Sequence, residues 1–153
     1  MTKIKWRILQ ILLIAAALFW GLGYYDFFVQ KYLVKKNLSN ILERYATDMN
    51  SECPIAVGGS TELVIGKVYF LKEKTIVYEY EILNISKDSL SDSVIAELKE
   101  NLIEPLIEEI NSIESLAKLR NKDVIFEYIY FDKQREEMFR IRLLFNTPIT
   151  VID

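Results

Sequence analysis

An uncharged run from Ile8 to Tyr25, ILQILLIAAALFWGLGYY, follows Lys3, Lys5 and Arg7, and no later stretch is comparably apolar. At about 1.5 Å per residue these residues span about 27 Å as a helix, close to a hydrocarbon core of about 30 Å. The run reads as one transmembrane helix. Residues 1–7 then form a basic cytoplasmic N-terminus, 8–25 the span, 26–48 an amphipathic stalk helix and 49–153 a soluble domain. Trp6 and Trp20 are the only tryptophans and flank the run, and Tyr24 and Tyr25 extend the aromatic cluster, as membrane-interface belts do. A cleaved signal peptide also has a basic start and an apolar core, and Gly21 and Gly23 would suit a cleavage site. Signal peptides have no need of aromatic flanks, so a retained anchor is favoured. The expectation is an inner-membrane, single-pass protein in contact with the lipid bilayer, its C-terminal domain periplasmic or otherwise extracytoplasmic.

Of the 19 Lys and Arg, three precede Phe27, against one of the 22 Asp and Glu, so the remainder is acidic. Nucleic acid is an unsuitable partner, because phosphate binding needs a clustered basic surface. About 125 residues are enough for one folded core. Cys53 is the single cysteine, which rules out an internal disulfide and suggests a small, partly buried apolar residue. The chain contains no histidine, which removes every His-based triad, dyad and metal site. The serines between Ser86 and Ser93 are explained as helix caps rather than nucleophiles. Asp88 and Asp92 lack the succession of oxygen ligands that Ca²⁺ requires, and Gly58-Gly59 is too short for a phosphate loop. No cofactor, metal or enzymatic activity is expected.

Phe28, Tyr32, Leu38, Ile41, Leu42 and Tyr45 recur at helical spacing, which predicts a helix to about residue 48. After a loop containing Pro54, two β-branched or aromatic runs, Glu62 to Lys72 and Thr75 to Leu83, predict a hairpin. Leu90, Val94, Leu98, Leu102, Leu106, Ile110, Ile113 and Leu116 trace a helix, with a kink or break expected at Pro105. A second hairpin joins Val124–Phe131 to Glu137–Phe145 across Asp132-Lys133-Gln134-Arg135. The expected fold is α+β: a transmembrane helix and stalk, then a four-stranded antiparallel sheet in the order hairpin-helix-hairpin, with the helix on its apolar face.

Alternation in the strands puts Glu79 and Glu81 on one face, with Glu127, Arg140 and Arg142 on the same side if the hairpins lie adjacent. These five are the candidate partner-binding residues. Their plainest role is a set of cross-strand ion pairs, each worth about 0.2–1 kcal/mol; the sharper one is a polar recognition face. Tyr69, Tyr78, Tyr80, Phe126, Tyr128 and Tyr130 fit core and cross-strand pairing better than a binding platform.

A membrane helix leading into an α+β head invites comparison with type IV pilins, but Lys3 to Arg7 precede the run and no acidic residue occurs before Asp26, so the pilin pattern fails. Cys53-Pro54 after a helix, Ile76-Val77-Tyr78-Glu79-Tyr80, and Phe126 to Asp132 before the last turn resemble small bacterial envelope proteins of unassigned function, over residues 45–145. That resemblance implies a bacterial envelope setting and two hairpins around a helix. The favoured function is a noncatalytic, membrane-anchored protein-interaction module, such as a subunit of a secretion or envelope complex. The alternatives are an immunity or inhibitor protein against a secreted toxin, and an oligomeric accessory or pore-assembly subunit.

Overall fold

Period-two alternation of β-branched and aromatic residues produces the long strands. In the computed structural model, which describes residues 37–57 and 62–152, the strands are β1 (Ile55–Ala56), β2 (Leu63–Leu71), β3 (Thr75–Ile82), β4 (Ile125–Phe131), β5 (Glu137–Leu144) and β6 (Thr150–Ile152). They form one sheet in the order β1-β2-β3-β4-β5-β6. β3 and β4 are parallel, and the other neighbouring pairs are antiparallel.

The expected four-stranded antiparallel sheet is thereby corrected to a six-stranded mixed one. Both hairpins exist, but a helical crossover returns the chain to the end of the sheet from which β3 began, so β4 must run parallel to β3. The two additional strands escape a periodicity reading because they contain two and three residues.

Helix α1 occupies 37–51, and α2 is Asp92–Ser112. Short 3₁₀ turns, Lys87–Ser89 and Glu114–Leu119, flank α2. Ser91 caps α2, its Oγ accepting from the Val94 amide at 3.4 Å, as the serine-rich turn predicts. α2 runs through Pro105 without the expected break. Pro105 and Asn101 are both exposed, so the carbonyl that the proline leaves unbonded can meet water.

Leu106, Ile110 and Leu116 are buried, whereas Val94 is 40% exposed. A stripe stepping by four drifts about 40° per step on a helix of 3.6 residues per turn, so it winds away from the sheet toward one end.

Both helices lie on the face that carries Ile65, Tyr78, Phe126 and Tyr128. Tyr45 of α1 hydrogen-bonds to Tyr78, oxygen to oxygen at 2.9 Å. Ile110 of α2 joins Tyr45, Tyr78 and Phe126 around a cavity of about 50 Å³. Tyr78 stacks on Tyr128 at 5.2 Å, Tyr80 on Tyr130 at 4.8 Å and Tyr130 on Phe139 at 4.7 Å. Burial raises the phenol pKa of Tyr78, Tyr80, Tyr128 and Tyr130. These aromatics are core, and Tyr69, on the opposite face, is half-buried.

The segment Ile8–Tyr25 and the residues Trp6, Trp20, Tyr24 and Tyr25 lie outside the described residues. Among the described residues no helix is long and apolar enough to cross a membrane, so the described fold does not supply the transmembrane element of the expected architecture.

Candidate charged face

The sheet face opposite the helices is assembled by register. Val77 pairs with Glu127 and Glu79 with Ile129 across β3 and β4; Glu127 pairs with Arg142 and Ile129 with Arg140 across β4 and β5. Strand alternation then brings Glu79, Glu81, Glu127, Arg140 and Arg142 onto one surface. Among the described residues no helix covers it.

Arg140 donates from Nη1 to Glu127 at 2.9 Å, and from Nε and Nη2 to Glu137 at 2.8 and 2.7 Å. Arg142 Nε stands 3.9 Å from Glu127 Oε1. Glu137 is held below its ordinary pKa, chiefly by the hydrogen bond from Arg140. Arg140 in turn is raised, chiefly through its bond to Glu137.

Two contributors were not legible in the strand pattern, Glu137 and Arg135. Arg135 donates from Nη2 to Glu79 at 3.2 Å and from Nη1 to Glu81. It comes from the β4–β5 turn, where alternation carries no information. Its backbone is left-handed, φ 64°, a conformation that costs a non-glycine residue about 1–2 kcal/mol.

The arrangement is layered. Arg135 and Arg140 side chains are 59% and 48% exposed, whereas Glu79, Glu81 and Glu127 beneath them are 13%, 20% and 9% exposed. Gly66 allows this packing, because a Cβ there would lie 2.5 Å from Glu81 Oε1. Among the described residues there is no cluster of His, Cys, Asp or Glu that could hold a metal ion. Cys53 is a half-buried free thiol, its pKa raised first by burial and then by Glu52.

Asp132 fixes the turn that delivers Arg135. It is 1% exposed and accepts from the amides of Lys87 at 2.9 Å and of Gln134 and Glu136 at 2.8 Å each. These bonds, that from Lys87 foremost, lower its pKa. A carboxylate with a depressed folded-state pKa contributes stability above its unfolded value, about 3.9 for Asp, and loses it as pH falls through the folded value. Asp132→Asn should therefore lower the melting temperature at pH 7, with the difference from wild type narrowing below about pH 4. Thermal melts across that range measure it; a difference independent of pH would mean that the charge is not what organises the turn.

Residues 37–139 match the model of a family described as "Domain of unknown function (DUF8479)", and the chain belongs to that family. No curated protein matches the chain. Two solved structures are similar. One is a "putative secreted protein" from Pseudomonas aeruginosa, 13% identical with a TM-score of 0.56, covering 71% of this chain and 89% of its own. The other is a pilotin from the Vibrio vulnificus type 2 secretion system, 8% identical with a TM-score of 0.53, covering 71% and 88%. At these identities the likeness is one of fold. The resemblance to envelope proteins of unassigned function agrees with these matches. The inner-membrane, single-pass placement is corrected to what the described residues show: no helix among them is long and apolar enough to cross a membrane.

Proposed function

We propose that this member of the DUF8479 family is a noncatalytic protein-binding module of bacterial secretion or envelope assembly, and that it docks a partner protein on its charged sheet face. The observation that carries this reading is the layering of half-exposed guanidinium groups over recessed carboxylates. Arg135 and Arg140 each hydrogen-bond to two carboxylates, so less side-chain entropy is lost when a partner binds. Each still has N–H donors to offer, since a guanidinium carries five. The pilotin and the secreted protein of the same fold support the setting.

The test is cross-linking and capture from the native cell, comparing wild type with Arg140→Glu/Arg142→Glu and with Arg135→Gly. The double reversal is expected to abolish capture of the partner while the chain stays folded by circular dichroism. Arg135→Gly relieves the left-handed backbone but leaves the recessed Glu79 and Glu81 without that cation, so a stability loss of about 1–3 kcal/mol is expected while binding weakens. A partner retained at wild-type yield by both variants would overturn this reading.

A further inference from the structure

We infer that the outer edge of β2 is a second docking site, one that takes an extended segment of a partner protein as an added strand, with acidic and apolar residues alternating. Among the described residues β1 pairs with β2 at Val64 and Ile65, and the Val57 amide just beyond it donates to the Leu63 carbonyl at 3.0 Å. Further along, the Val68 amide points away from β3 and donates to Asn50 Oδ1 of α1 at 3.0 Å, a side chain doing there what a strand does at Ile65. Pairing is regular from Lys67 to Leu71, so the amide and carbonyl of Phe70, two residues on, also point outward. No described strand lies on that side. Exposed edge groups of this kind are templates for strand addition.

The space for a strand is present. An open groove of about 270 Å³ runs between α1 and this edge, with Ala46 and Val68 at its floor and Glu43, Thr47, Lys67 and Phe70 around it. An added strand would turn alternate side chains toward Ala46, Val68 and Phe70, which favours apolar ones. The intervening side chains would stand beside Lys67, which is exposed, lies 5.0 Å from the Tyr69 ring centroid, and makes no ion pair among the described residues. Like charges across strands are unfavourable and opposite charges favourable, so those positions should be acidic. Lys67 shares a sheet face with Arg140 and Arg142 but stands on β2, three strands away from β5, and the inference does not rest on the proposed function.

The test uses the full chain and a blocked ten-residue peptide of alternating Glu and Val, with a Lys-Val peptide as control. Affinity is read by titration calorimetry and the edge by amide hydrogen exchange. Glu-Val peptide is expected to bind and to slow exchange at Phe70, with Lys67→Glu and groove-filling Thr47→Trp each weakening it at least tenfold. Both positions are exposed, so folding should survive. Arg140→Glu/Arg142→Glu should leave this binding within twofold of wild type, which separates it from docking on the charged face. Absence of binding, unchanged exchange at Phe70, full affinity in Thr47→Trp, or loss of binding in the double arginine variant would overturn the inference. So would a concentration-dependent dimer abolished by Thr47→Trp, which would assign the edge to a second copy of the chain.

Discussion

Phe126→Ala is expected to destabilise the folded unit by about 3–5 kcal/mol. Phe126 is fully buried on central strand β4 and meets Phe145 edge-on, centroids 5.5 Å apart and planes at 85°. Its strand is flanked by β3 and β5, so the backbone on either side has little freedom to collapse into the space left by the ring, and the cavity cost adds to the lost transfer free energy. For a unit of this size about 1 kcal/mol corresponds to a melting shift of about 2–8 °C, so a drop of more than about 6 °C should be visible by circular dichroism. A loss below about 1 kcal/mol would show that the aromatic layer between sheet and helices is not the main source of stability. The same substitution at Phe70, which is half-buried on β2, should cost less, since part of its ring is already in water.

That contrast shows what the sequence made legible. Phe126, Tyr128 and Tyr130 alternate with Ile125, Glu127 and Ile129, and the alternation alone assigns the first set to one face. The same holds for Phe139, Ile141 and Leu143 against Arg140 and Arg142, so the five charged candidates were recognisable as sharing a surface once the hairpins were placed side by side. The order of the hairpins was not recognisable, because period two states which face a residue occupies and says nothing about which strand lies next to it. The parallel join of β3 to β4 depends on the crossover through α2. β1 and β6 have too few residues to show a period, and Arg135 reaches the charged face from a turn fixed by Asp132, a long-range bond to Lys87 that no local pattern announces. Of the two proposed docking surfaces, only the charged face was legible in the strand pattern. The β2 edge required knowing where β1 stops.

Leu42→Ala is the second substitution with a large expected effect, about 2–5 kcal/mol, and it tests whether α1 is built into the folded unit. Leu42 is 0% exposed and Ala46, one turn later on the same helical face, is 2% exposed; Tyr45 between them bonds to Tyr78 of β3. Ile41, adjacent in sequence but on another face, is 53% exposed. Alanine is a better helix former than either residue, so an α1 that did not pack on the sheet would tolerate both changes alike. A docked helix separates them: Ile41→Ala should stay within about 0.5 kcal/mol of wild type, while Leu42→Ala leaves a cavity beneath the helix. Equal stabilities in urea denaturation would show that α1 contributes nothing to the core. They would also remove the wall of the groove beside β2, because Ala46, Thr47 and Asn50 line it only where Leu42 holds the helix against the sheet. If Leu42→Ala remains folded at low temperature, the Glu-Val peptide should bind it more weakly than it binds Ile41→Ala, since the groove loosens with the helix that frames it.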